Sequence, residues 1–210
     1  MRHWGGFYSF FGAINNVAGP ICCNDLDQSQ LQEAGCEFSP AQVIESHFSR
    51  IIWDKLLEKS EIYNEVTGQI LAVLDGEENI TARMATVACL LSQAFPDTYY
   101  WTGFYVVDPQ NRQELVVGPY QGTLGCLRIA FGRGVCGAAA LSGETQVVED
   151  VHALKNHIAC DSRSNSEIVV PVHDPAGTLV AVFDVDSTQF SAFDETDKSY
   201  LENIISKVFG

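Results

Sequence analysis

Apolar residues recur at helical spacing at both ends of the chain, and between them the period shortens to two. Ser39-Pro40-Ala41-Gln42 reads as a helix start, with serine at the cap, proline at the first helical position and glutamine at the third. Behind it Ile44, His47, Phe48, Ile51, Ile52, Lys55 and Leu56 keep a helical spacing with one apolar stripe. A second helix is expected from about Glu61 to Leu74, ended by Asp75-Gly76. A third, from about Thr81 to Phe95, places Met84, Val87, Ala88, Leu91 and Phe95 on one face. Residues 1–38 sustain no period and cluster Gly, Asn, Asp and Gln, so they read as an extension with little structure of its own.

From Tyr99 onward alternation predicts strands over Tyr99–Val107, Glu114–Val117 and Cys126–Phe131. Asp108-Pro109-Gln110-Asn111 and a turn region from Gly118-Pro119 to Gly125 join them. Gly134–Leu141 reads as a short helix carrying Cys136 in its first turn, and Gln146–Val148 as a short strand. Ile168–Val172 and Leu179–Asp186 form a hairpin across His173-Asp174-Pro175-Ala176-Gly177. A last helix from about Asp194 turns Tyr200, Leu201, Ile204, Ile205 and Val208 inward. Hairpin-linked strands with helices before and after them indicate an α+β domain around a central, largely antiparallel sheet flanked by N- and C-terminal helices.

Composition narrows the function classes. Of 210 residues 46% are apolar and 19% charged, values of a globular chain long enough to bury a full core. Twelve basic side chains face 27 acidic ones, for a net charge of −15, and no basic stripe offers a surface to nucleic acid or an anionic membrane. No apolar run approaches a membrane span. The seven cysteines are odd in number and not spaced as a compact disulfide framework, which points to a reducing, cytoplasmic setting with mostly free thiols. The aromatic and glycine-rich stretch over residues 1–20 keeps a targeting segment open as the alternative.

Candidate chemistry concentrates between Gly125 and Asp186. Cys160 lies at the head of a polar loop that leads into an apolar strand, a placement suited to reactivity more than packing. Cys126 and Cys136 belong to the same stretch. Three readings apply to these thiols: packing, which suffices for Cys89; a zinc site with His157; and a redox set in which one thiolate attacks and a second resolves the product as a disulfide. Zinc is disfavoured because no Cys-x-x-Cys pair is present. His157 could help ionise Cys160, and a solvated loop histidine is the plainer reading.

Alternation along Leu179–Asp186 puts Val180, Val182, Asp184 and Asp186 on one face. Two carboxylates at the end of an apolar face either emerge into solvent or line a pocket that binds a cation such as an ammonium group. Glu167, at the start of the neighbouring strand, becomes a proton donor near neutrality if its cleft is partly apolar. Trp101 and Tyr105 share a strand face, as core or as an apolar wall beside a polar pocket.

Taken together these segments resemble the free methionine-(R)-sulfoxide reductases, a family built on a GAF domain. The matching segments are Trp101-Thr102-Gly103-Phe104-Tyr105, Gly118-Pro119-Tyr120-Gln121-Gly122, Phe131-Gly132-Arg133-Gly134-Val135-Cys136-Gly137, His157-Ile158-Ala159-Cys160-Asp161, Ser166 to Pro171, and Asp184-Val185-Asp186. The resemblance implies a GAF-like catalytic domain over residues 59–210, with a ligand pocket on the sheet face opposite the terminal helices, after an N-terminal extension of residues 1–58 (1–38 poorly structured, 39–58 helical). It also implies that the Cys160 thiolate attacks the substrate sulfur while Glu167, with Asp184 or Asp186, donates to the leaving oxygen. Cys126, or alternatively Cys136, then resolves the sulfenic acid as a disulfide, and a thioredoxin-like protein reduces it. Trp101 and Tyr105 would enclose the methyl and methylene groups, with Asp184 and Asp186 facing the ammonium. The resemblance calls for no metal or organic cofactor and allows a homodimer. The rival reading is a non-catalytic GAF module that holds a small ligand or senses redox state.

Overall fold

A computed structural model describes residues 58–154 and 162–210. The helix expected over 39–58 and the segment holding His157 and Cys160 therefore lie outside the described residues, apart from residue 58. Helix α1 covers 58–73, and α2 spans Ile80–Ala94. The strands are β1 (Trp101–Val107), β2 (Glu114–Gln121), β3 (Arg128–Ala130), β4 (Gln146–Val148), β5 (Ser166–His173) and β6 (Leu179–Ser187). Helix α3 (Gly134–Ser142) and a short 3-10 turn (Val151–Ala153) precede β5, and α4 (Glu195–Phe209) follows β6.

The strands form one six-stranded sheet in the order β3-β2-β1-β6-β5-β4, antiparallel at every described pairing. Side chains alternate across it and make two unlike faces. Phe104, Ile168, Val170, Val172, Ala181, Phe183 and Val185 pack with Tyr63, Ile70, Met84, Leu91 and Leu201 from α1, α2 and α4. Of the helical stripes read from the sequence, Met84, Val87, Ala88, Leu91 and Phe95, and the inward Leu201, Ile204, Ile205 and Val208 with Tyr200 beside them, are in this layer, and the stripe from Ile44 to Leu56 lies outside the described residues. The opposite face carries Trp101, Tyr105, Val107, Val169 and Val182, covered by Val135, Cys136, Ala139 and Ala140 of α3.

Helix ends follow local chemistry. Asn79 caps α2 by accepting from the N–H groups of Thr81 and Ala82. Asp194 caps α4 in a reciprocal box with Asp197. Asp197 also accepts from Tyr63 at 2.8 Å and pairs with Lys59 at 2.8 Å, so α1 and α4 are joined through a buried carboxylate that is fully partnered.

Three expectations change. Strand β2 runs through Gly118-Pro119 to Gln121 instead of turning there. Its register slips against β1 between Gly103 and Tyr105, and β3 pairs with it only over Glu114–Val116. Pro119 thus occupies an irregular, outer stretch where a missing N–H costs no ladder bond. The segment at Cys126 is loop, because β3 begins at Arg128. Val180 does not share the face of Val182: the ladder steps from Val172 opposite Ala181 to His173 opposite Leu179, and the skipped Val180 packs on the helical layer.

At the centre of that layer Phe104 and Phe183 meet at 4.9 Å, and Phe104 meets Phe209 edge-on at 5.5 Å. Phe183→Ala is expected to destabilise the domain by about 3–5 kcal/mol in urea unfolding, the usual cost of deleting a buried ring.

Candidate active site

The acidic side chains come together because of strand register. Glu167 on β5 is directly opposite Asp186 on β6, and Asp184 is opposite Val169 on one side and Gly103 on the other. All three carboxyls line one pocket with Trp101, Tyr105 and Cys136. The sequence-predicted residues of β1, α3, β5 and β6 therefore converge on one place. Cys126 follows Gly125 of the pocket lining.

The acids are not strand-end groups in water. Glu167 is 6% exposed and Asp184 4%, while Asp186 is half-buried. Burial raises the pKa of Glu167 well above the carboxylate range, and the charges of Asp184 and Asp186 add to the effect. Asp184 is raised by burial and then by Asp186. A hydrogen bond links Glu167 and Asp184, which requires a proton on one of them. Asp184 Oδ1 is buried with no hydrogen-bond partner among the described residues. A buried acceptor of that kind awaits a donor.

Cys136, in the first turn of α3, is 4% exposed, and its thiol donates to Glu167 Oε1 at 3.8 Å. Burial, then the nearby Asp184 and Glu167, push this thiol well above its ordinary pKa, so it holds its proton and is a poor nucleophile. Cys136 and Cys89 are free thiols, whereas Cys126 is disulfide-bonded.

The apolar wall is a stack. Trp101 lies parallel to Tyr105 at 5.4 Å and to Tyr120 at 5.2 Å, and its indole N–H donates to the Thr123 carbonyl at 3.0 Å. Gly103 permits the approach of β2: a Cβ there would be 2.3 Å from the Tyr120 Cβ. Gly125 is also close-packed, though less tightly, since its Cβ would come within 2.8 Å of the Tyr105 hydroxyl. That hydroxyl accepts from the backbone N–H of Cys126 and keeps its proton because of burial and the Asp184 charge. The pocket wall and Cys126 are thereby held to each other.

Sequence reasoning did not single out Leu124, Arg133 or Ser164, which also line the pocket, or Tyr120 as part of the aromatic wall. The only signal for Arg133 and Tyr120 was their place in glycine-flanked segments. Ser164, buried before β5, carried none.

An antiparallel sheet with helices on one face and an acid- and aromatic-lined pocket under a short helix on the other describes a small-ligand domain, and residues 78–208 match the GAF domain family. GAF domain-containing protein A of Dictyostelium discoideum is 44% identical over 147 residues, covering 70% of this chain and 90% of that protein. Free methionine-R-sulfoxide reductase of Saccharomyces cerevisiae is 35% identical over 161 residues, covering 75% and 89%. The crystal structure of free methionine-R-sulfoxide reductase from Neisseria meningitidis, in complex with its substrate, superposes with a TM-score of 0.67 at 46% identity, covering 71% of this chain and 87% of that one. The chain belongs to the free methionine-R-sulfoxide reductases, oxidoreductases of the GAF-domain family.

Proposed function

We propose that this chain reduces free methionine-(R)-sulfoxide to methionine, using Cys160 as nucleophile and Cys126 as resolving thiol. The observation that carries the reading is the buried Glu167–Asp184 pair, linked by a hydrogen bond, with an Asp184 oxygen that has no partner among the described residues, in a pocket whose Tyr105 wall holds a cysteine that enters a disulfide. A carboxyl that retains its proton near neutrality can donate to the departing sulfoxide oxygen. The Cys160 thiolate attacks the sulfoxide sulfur while the protonated oxygen leaves as water, and water then attacks the Cys160 sulfur, breaking the new S–S bond to release methionine and leave a sulfenic acid on Cys160. The Cys126 thiol displaces water from that acid and forms the disulfide. A thioredoxin-like dithiol then supplies two electrons and two protons.

Cys126 is favoured over Cys136 as the resolver because Cys136 remains a free, protonated thiol turned towards Glu167. The Trp101–Tyr105 stack suits the methyl and methylene groups, and Asp186 suits an ammonium. Among the described residues no helix is long and apolar enough to cross a membrane.

Specificity for the free amino acid follows from the buried acids. Replacing the ammonium by an amide removes the charge they face and leaves them unpaired. In a thioredoxin-coupled NADPH assay, free methionine-(R)-sulfoxide is expected to turn over while the N-acetylated and peptide forms lose about two orders of magnitude or more in kcat/KM. Activity on the peptide form alone overturns the reading.

A further inference from the structure

Cys136 Sγ and one carboxylate oxygen each from Glu167 and Asp184 all lie within 4.8 Å of one another. Two further features distinguish this group from a chance acidic cluster. Its members are 4–6% exposed, within the pocket that the half-buried Asp186 also lines. Asp184 Oδ1 is also buried with no hydrogen-bond partner among the described residues. Donors around a tetrahedral Zn2+ sit roughly 3.5 Å apart, given bond lengths of about 2.3 Å to sulfur and 2.0–2.2 Å to oxygen. Side-chain rotations of about an ångström would close the set.

We propose that Cys136, Glu167 and Asp184 form a site for one thiophilic divalent cation of the Zn2+ class, with its fourth position open to water. The donor set is one soft thiolate and two hard carboxylates, which suits Zn2+ or Co2+ better than Mg2+ or Ca2+. Coordination replaces the Cys136 S–H by an S–metal bond. The thiol proton, with the proton shared by the carboxyls, leaves to solvent, so affinity rises with pH. No redox change is involved. The cation uses the oxygen that a substrate would otherwise meet, so metal and substrate exclude each other.

The site itself does not depend on the proposed reductase activity, and the test separates the two. The full chain in its disulfide form, where Cys136 is free, is titrated with Co2+ and followed through the sulfur-to-cobalt charge-transfer absorption. One Co2+ per chain is expected, displaced by Zn2+. Cys136→Ala should remove the absorption and Cys89→Ala should leave it unchanged. Asp184→Asn should weaken binding roughly tenfold or more, and it decides the matter if Cys136→Ala does not fold by far-UV circular dichroism. Absence of the band in wild type, or its persistence in Cys136→Ala, overturns the site. Zinc-loaded reduced chain should release less methionine in a single turnover than chain treated with chelator, and equal release overturns the exclusion. A chain that binds cobalt as described but leaves free methionine sulfoxide untouched upholds the site and refutes the reductase reading. Turnover without cobalt binding refutes the site alone.

Discussion

Cys160→Ser is expected to abolish reduction of free methionine-(R)-sulfoxide. A serine hydroxyl is scarcely ionised at neutral pH, and a serine oxygen cannot form a stable, reducible sulfenic acid. Measured as methionine released per chain, the wild type should turn over many times and this variant not at all. Cys126→Ser should behave differently, releasing about one methionine per chain before stalling, because attack by Cys160 survives while condensation to the disulfide does not. The pair of measurements separates attack from resolution. Equal multiple-turnover rates for Cys126→Ser and wild type would remove Cys126 from the resolving role and return Cys136 to it.

Glu167→Gln is expected to lower kcat/KM by roughly 10²–10⁴, the usual contribution of a general acid, while leaving the fold intact. The amide occupies the same volume beside Cys136 but has no proton to give to a leaving oxygen. The wild-type rate should follow a bell, rising with thiolate formation on Cys160 and falling as the Glu167–Asp184 pair loses its proton. In Glu167→Gln the falling limb should weaken or move.

Stability supplies an independent check with a defined sign. The folded state holds the Glu167 proton more tightly than the unfolded chain, whose carboxyl titrates near ~4.3. Folded wild type therefore binds more protons, and its contribution to stability is greatest below that value and is lost as pH rises through the raised folded pKa. Denaturation midpoints for wild type should fall with increasing pH across that window, and those of Glu167→Gln should fall less. A steeper fall in the variant would mean that Glu167 is ionised in the native pocket.

Much of this arrangement was legible from residue order. The stripes of α2 and α4, the strict alternation of Ala181, Phe183 and Val185 against Val182, Asp184 and Asp186, and the shared face of Trp101 and Tyr105 are consequences of backbone period alone. Such period arguments work because a stripe or a face has only one sheet or core against which to bury. They failed where the backbone departs from its period. Val180 changed faces at a register slip, and Pro119 continued a strand that the dipeptide Gly118-Pro119 was expected to end.

Sequence by itself determined the α+β architecture and named Trp101, Tyr105, Cys136, Glu167, Asp184 and Asp186 of the pocket, since periodicity, caps and short motifs are local properties. It left two carboxylates undecided between solvent and pocket. Only the tertiary structure decided that, by setting Glu167 across from Asp186 and roofing Asp184 with α3, because burial and charge proximity depend on which strands pair and what covers them. The same packing separated two cysteines that look alike in the sequence, leaving Cys136 protonated in the buried first turn of α3 and Cys126 in a loop where it forms a disulfide.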